Sequence, residues 1–175
     1  VLTQPYHHFF INMTKYLYYV NQFYNKDKIP LIIIHGGASP IDPKGNALKS
    51  AIASIENMAS ICMSNLKSGK SAIKVVVQCL EMLENDIQFN AGIGSALQSD
   101  GVPRLTSSIM NGHKQNLSGV ISVPYVSNPS KLAEKLQNKN AKVLSSPGGE
   151  LLAREMKLPV ASNLTEDKSK KWLYN

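Results

Sequence analysis

The feature that most constrains this chain is a pair of consecutive helical stretches, the second apolar almost all round. Residues 44–68 place Leu48, Ala51, Ile52, Ile55, Met58, Ala59, Cys62 and Leu66 at helical spacing, one stripe along a long helix. Residues 71–85 then carry Ile73, Val75, Val76, Val77, Leu80, Met82 and Leu83. A helix with so little polar surface is expected to be sandwiched between layers rather than to lie on a surface. Gly69 suits the end of the first helix and Ser71 the cap of the second.

The elements around this pair complete a layered pattern. Pro30–Ile34 is a short β-branched run that reads as a buried strand and ends at His35-Gly36-Gly37. Residues 86–93 read as a loop, followed by three strands near 94–99, 104–110 and 117–126, with a hairpin turn at Asp100-Gly101. Asn128-Pro129 predicts a helix start, with Asn as cap and Pro at the first position, running to Leu136. A strand over Val143–Ser145, a helix over 150–157 and a polar helix capped by Asn163–Thr165 follow. That order makes a layered α/β (α+β) domain. Residues 1–28, rich in tyrosine and holding His7 and His8, read as irregular and carry no functional assignment. Met13 is one candidate start, an upstream origin for residues 1–12 the alternative.

Composition excludes several classes. With 43 % apolar and 18 % charged residues the chain is globular rather than disordered. Its 175 residues suit one domain or a large piece of one. The net charge of +7 comes from scattered lysines; only Lys168, Lys170 and Lys171 cluster, interleaved with Glu166 and Asp167. This is a solvated surface rather than a nucleic-acid footprint. No run approaches a membrane span, and Asn12, Lys15 and Asn21 break any signal-peptide core. Cys62 and Cys79 fall on apolar helix faces and read as buried, reduced thiols, which fits a cytoplasmic location.

Most short motifs fail on their own requirements. Ser68-Gly69-Lys70-Ser71 lacks the first glycine of a phosphate loop, since position 64 is serine, and it follows a helix instead of a strand. Gly92-Ile93-Gly94 has Leu97 where a dinucleotide fingerprint needs its third glycine. The four histidines have no zinc-like spacing. His35-Gly36-Gly37 after a strand has two readings on the residues alone. One is an oxyanion loop of the esterase kind, although no serine here has glycines at −2 and +2; the other is a plain strand-end turn.

That turn does not stand alone. Ile33-Ile34-His35-Gly36-Gly37-Ala38, Phe89-Asn90-Ala91-Gly92-Ile93-Gly94, Ser108-Ile109-Met110-Asn111-Gly112 and Ser118-Gly119-Val120 follow one another in order and spacing. Over residues 29–160 the chain resembles the plant-type asparaginase / isoaspartyl peptidase (β-aspartyl peptidase) family, which are N-terminal nucleophile (Ntn) threonine hydrolases. The resemblance implies an αββα four-layer sandwich, of which this chain is the N-terminal, α-subunit half. It also implies a precursor that cuts itself before a threonine. The freed threonine then attacks the side-chain amide of L-asparagine or the isopeptide bond of a β-aspartyl dipeptide, with its own amine as base.

Site residues follow from the same resemblance. His35, Gly36 and Gly37 match a loop near the nucleophile that takes part in autoprocessing. Asn90 matches the asparagine that helps hold the threonine; without the resemblance it is a loop residue capping its own turn. Residues 83–93 match a sodium-binding loop, with the backbone carbonyls of Leu83, Glu84, Asp86, Phe89, Ala91 and Ile93 as ligands and no organic cofactor. The alternative is an ordinary helix-to-strand loop. Thr3, Thr14, Thr106 and Thr165 do not open a nucleophile motif, so the nucleophile is expected on a β subunit from the same precursor, in an (αβ)2 assembly. Residues 161–175 then lead toward the cut site.

The chain departs from the family pattern at Ser39, Lys74, Thr106 and Asn111. These positions bear on substrate preference and leave room for a catalytically degenerate member. Two alternatives are kept: a glycosylasparaginase-type amidohydrolase, which favours a secretory signal and disulfides, and a truncated, non-catalytic fragment with a structural role.

Overall fold

The computed structural model describes residues 8–13, 16–21, 30–37 and 45–174. Their elements are β1 (His8–Met13), β2 (Tyr16–Asn21), β3 (Ile32–Ile34), α1 (Asn46–Lys67), α2 (Ala72–Glu84), β4 (Leu105–Asn111), β5 (Asn116–Val123), α3 (Pro129–Leu136), β6 (Val143–Ser145), α4 (Gly148–Glu155) and α5 (Glu166–Tyr174). They form two compact units, Val1–Cys79 and Leu80–Asn175.

In the first unit β1, β2 and β3 make an antiparallel sheet in that order, with His8 opposite Asn21 and Tyr19 opposite Ile34. Two strands thus replace the irregular segment expected within residues 1–28, because aromatic and β-branched runs of this length favour pairing over coil. β3 is half-buried rather than buried: Ile34 faces inward while Ile33 is 62 % exposed. α1 packs on β3 and ends in a Schellman motif, Lys70 N–H donating to Asn65 C=O and Gly69 N–H to Leu66 C=O, each at 3.0 Å.

α2 is less enclosed than its composition suggests. Val75 and Val77 are buried, but Val76 is 45 % exposed and Lys74 is exposed as well. The Cys62 and Cys79 thiols are free, buried and hydrogen-bonded to each other. Burial, followed by the neighbouring sulfur, pushes Cys79 up to about 12. Asn65 Nδ2 reaches Gln78 Oε1 at 2.9 Å and clasps α1 to α2.

The second unit is built on a sheet of order β4-β5-β6, antiparallel between β4 and β5 and parallel between β5 and β6. α3 is the crossover to β6. Together α3 and α4 cover one sheet face, where Val120, Val123, Val126, Leu132, Leu136, Leu152 and Ala153 form the core. Gly149 sits where any β-carbon would meet Val123 Cγ2 at 2.4 Å, so α4 lies close against β5. On the opposite sheet face Met110, Leu117, Ile121 and Val143 are each about half exposed.

Two local expectations change. No strand forms over 94–99. Gly92–Gly94 is a 3-10 turn, and Ala96 N–H is taken by the Asn90 side chain instead of a neighbouring strand. The Asp100-Gly101 turn forms, held by Gly101 N–H to Gln98 C=O at 2.9 Å, but it joins no hairpin. Between β4 and β5, Ile121 and Ser122 oppose the single residue Thr106, a bulge on β5. Ser122 adopts φ +57° there, and its N–H donates to Thr106 Oγ1 at 3.1 Å.

Candidate functional site

β3 delivers the chain into His35-Gly36-Gly37. Gly37 has φ +100° with open space around it, so the backbone torsion, rather than crowding, calls for glycine. His35 is exposed and Gly36 half-buried. Ser39 lies outside the described residues. This turn belongs to the first unit; Asn90 and the 83–93 loop belong to the second.

The 83–93 loop is shaped by its carbonyls. α2 ends at Glu84, and the backbone then turns on itself. Asp86 N–H donates to Leu83 C=O at 3.3 Å, Phe89 to Asp86 at 3.2 Å, Ala91 to Phe89 at 2.8 Å and Gly94 to Ala91 at 2.9 Å. The Asp86 carboxylate takes Gln88 N–H at 3.0 Å, and the buried Phe89 side chain pins the loop from below. The closest approaches fall at two glycines. A β-carbon on Gly92 would lie 1.9 Å from Glu84 O. One on Gly94 would lie 2.0 Å from Phe89 O and 2.8 Å from Ile87 O. Both positions therefore exclude every other residue type without loop movement.

The loop's backbone oxygens are of the kind that could hold a hard cation. The backbone oxygens of Leu83, Asp86, Phe89 and Ala91 each accept one N–H and retain a second lone pair. Those of Glu84 and Ile93 accept no backbone hydrogen bond from the described residues outside helices and strands. All six are neutral oxygens, the ligand type hard cations take. Among the described residues no group of three or more His, Cys, Asp or Glu side chains is placed to hold a metal.

Asn90 is exposed at the crown of the loop. Its Oδ1 accepts Ala96 N–H at 2.8 Å, which closes residues 90–96 into a turn. The side-chain nitrogen makes no hydrogen bond among the described residues and keeps both donors available. The turn-capping geometry is thus present, carried by one end of an amide whose other end points elsewhere.

One group was not visible from sequence spacing. The Glu84 side chain, 5 % exposed, is held at the start of α3. Its Oε1 accepts Ser130 N–H at 3.0 Å, and its Oε2 accepts Ser130 Oγ–H at 2.7 Å and Asn128 Nδ2–H at 3.1 Å. Burial raises its pKa, partly offset by the hydrogen bonds from Ser130 and Asn128. Glu84, not Asn128, thereby caps α3, and the Asn128 amide is spent on Glu84 and on Asn85 Oδ1 at 3.1 Å. Pro129 does take the opening position of the helix. The partners are 44 and 46 residues apart, and no local signal links them. Next to this cap, Lys131 pairs with Glu81 at 3.1 Å.

Of the four threonines, Thr3 and Thr14 lie outside the described residues, Thr106 serves the β5 bulge, and Thr165 Oγ1 faces Lys168 N–H at the start of α5.

Comparison with known proteins places these features in one family. The asparaginase family Asparaginase_2 matches residues 28–175. The isoaspartyl peptidase/L-asparaginase of a Synechocystis species is 44 % identical over 144 residues, 82 % of this chain and 44 % of that protein. The rat protein of the same name is 37 % identical over 147 residues, again 82 % of this chain and 44 % of that one. The plant-type L-asparaginase of Pyrococcus horikoshii is 32 % identical over 142 residues, covering 81 % and 46 %. The chain thus spans about half the length of the curated relatives it matches. With its mixed helices and sheets and its match along nearly the whole described length, the chain belongs to the Asparaginase_2 family of α+β Ntn hydrolases.

Proposed function

We propose that this chain is the α-subunit part of a self-processing hydrolase. It would cleave the side-chain amide of L-asparagine, the isopeptide bond of β-aspartyl dipeptides, or both. The observation that carries this reading is the match of residues 28–175 to the Asparaginase_2 family, together with relatives named for those two activities that match 82 % of the chain. The nucleophilic threonine is assigned to the part of the protein beyond this chain. A free terminal amine beside its hydroxyl supplies the base such a nucleophile needs.

This chain's contribution is positioning. The 83–93 loop is proposed to hold a sodium ion on the carbonyls of Leu83, Glu84, Asp86, Phe89, Ala91 and Ile93. The ion's chemistry would be structural, drawing those carbonyl dipoles together. Asn90, fixed through Ala96, would present its free amide donors to the threonine hydroxyl or to the substrate carbonyl. His35, Gly36 and Gly37 are proposed to line the path of self-cleavage, where a side-chain-free turn lets the scissile segment approach. The half-exposed apolar face of the β4-β5-β6 sheet supports docking of the second half of the same precursor, with two such pairs forming the assembly. Two buried free thiols support a reducing, cytoplasmic setting, and no described helix is long and apolar enough to cross a membrane.

The test is the intact mass of the expressed full gene product, followed by assays with asparagine and a β-aspartyl dipeptide. Two fragments, the second beginning with threonine, and release of ammonia or aspartate are expected. A single uncut mass with neither activity would overturn the proposal.

A further inference from the structure

We infer that Asn111-Gly112, at the open tip of the β4–β5 hairpin, is a self-modification site, where the chain converts its own asparagine through a cyclic imide to aspartate and isoaspartate. The chemistry needs only water and hydroxide, and neither the hydrolase activity nor a bound cation.

The chain holds one Asn-Gly pair, Asn111-Gly112, and one Asp-Gly pair, Asp100-Gly101. Both can close the same five-membered ring, because glycine has no β-carbon to hinder its own nitrogen. The fold guards one pair and leaves the other open. Gly101 N–H donates to Gln98 C=O at 2.9 Å, and the Trp172 indole lies 3.3 Å from where a β-carbon on Gly101 would be. Arg104 holds both Asp100 oxygens, at 2.9 and 2.7 Å, and keeps that carboxyl ionised. An ionised carboxylate is a poor target for a nucleophile.

Asn111-Gly112 has none of these guards. Gly112 is exposed just past the end of β4, and its N–H makes no hydrogen bond among the described residues. A β-carbon there would meet nothing within 4 Å. Asn111 Nδ2, the leaving group, also makes no hydrogen bond among the described residues. Asn111 Oδ1 accepts Lys114 N–H at 3.1 Å. That contact folds the carboxamide over the loop toward Gly112, and it sets a donor on the oxygen where negative charge develops. Asn111 pairs across the hairpin with Asn116, whose Nδ2 reaches Gln137 C=O at 2.8 Å. Both therefore lie on the α3 side of the sheet, and a partner on the face of Met110 and Leu117 does not cover them.

The step balances without an oxidant or a cofactor. Hydroxide removes the Gly112 amide proton, and the nitrogen forms a bond to Asn111 Cγ. The Cγ–Nδ2 bond breaks, and the amine leaves as ammonia with a proton from water. Water then adds to either imide carbonyl. Breaking the new bond from nitrogen to Cγ gives aspartate. Breaking the original bond from nitrogen to the Asn111 backbone carbonyl gives isoaspartate, with an extra carbon in the main chain. Both products add a negative charge at the end of β4.

The test follows the tryptic peptide Leu105–Lys114 from the full gene product, incubated folded or unfolded in guanidinium chloride, from neutral to mildly alkaline pH. In the folded protein Asn111 is expected to exchange amide NH2 for OH at a rate of the same order as in the unfolded chain. The rate should rise with pH, with ammonia released in equal amount and isoaspartate identified by fragmentation. Asp100 is expected to form isoaspartate in the unfolded chain but not in the folded protein. Gly112→Ala hinders the attacking nitrogen without crowding the fold, and should lose most of the conversion. Asn111→Gln, which would need a larger ring, should lose it as well. If the folded protein keeps Asn111 intact while the unfolded chain converts it, the loop guards the pair and the proposal is overturned. Conversion of Gly112→Ala as fast as wild type would overturn attack by the Gly112 nitrogen. Isoaspartate at Asp100 at equal rates in the folded and unfolded protein would overturn the contrast between the two pairs.

Discussion

Gly94 shows how much a single absent side chain can decide. Its missing β-carbon leaves room for Phe89 O and Ile87 O, and Gly92 does the same for Glu84 O. In Gly94→Ala the methyl must displace backbone rather than a flexible side-chain end. A loss of about 2–4 kcal/mol in unfolding free energy is expected. Urea unfolding of the full protein checks this, and an effect below about 0.5 kcal/mol would mean the loop does not close as described. The glycines themselves were legible as the Phe-Asn-Ala-Gly-Ile-Gly frame. What they accommodate was not, because a carbonyl oxygen has no letter in the sequence.

At the scale of the element, propensity and capping account for most boundaries. The Schellman end of α1 and the proline start of α3 form where their residues predict. The strand expected over 94–99 fails because a side chain six residues upstream satisfies Ala96 N–H. The turn that follows is held electrostatically. Arg104 reaches Asp100 through two hydrogen bonds, 2.9 Å from Nη1 to Oδ1 and 2.7 Å from Nη2 to Oδ2. That guanidinium, with Val102 N–H, lowers the Asp100 carboxyl to about 2. A depressed folded-state pKa contributes stability that is present above the unfolded value near 4 and is lost as pH falls toward 2. Asp100→Asn should therefore flatten the decline in stability between about pH 4 and pH 2 and change little near pH 7. The group is exposed, so the effect is small and salt-sensitive. Urea midpoints of wild type and variant across that window would measure it, and parallel curves would exclude the contribution.

For the whole molecule the decisive feature is the half-exposed apolar face of the β4-β5-β6 sheet. Met110, Leu117, Ile121 and Val143 leave β4, β5 and β6 with an apolar surface beside a well-packed opposite face. Natural chains rarely leave such a patch in water. Expressed alone, residues 1–175 are expected to bind a hydrophobic dye strongly and to self-associate, whereas the full product should do neither. A monomeric chain without dye binding, active on asparagine by itself, would contradict both this and the placement of the nucleophile elsewhere. The net charge of +7 comes from scattered lysines of these 175 residues and by itself identifies no partner.

The sequence by itself determined the helices, the burial of both thiols and the family motifs, because each rests on periodicity, local turn chemistry or a run of neighbouring residues. It misjudged residues 8–13, 16–21 and 94–99, where pairing depends on a partner strand being present or on a competing side chain being absent. Only the tertiary structure decided that Glu84 caps a helix starting more than forty residues later. It alone showed that Thr106 answers the Ser122 bulge, and that three carbonyls converge on two glycines. The physical reason is the same in each case. Hydrogen bonds between distant residues and the oxygens of the backbone depend on where the chain is in space, and amino-acid order encodes that only through the fold as a whole.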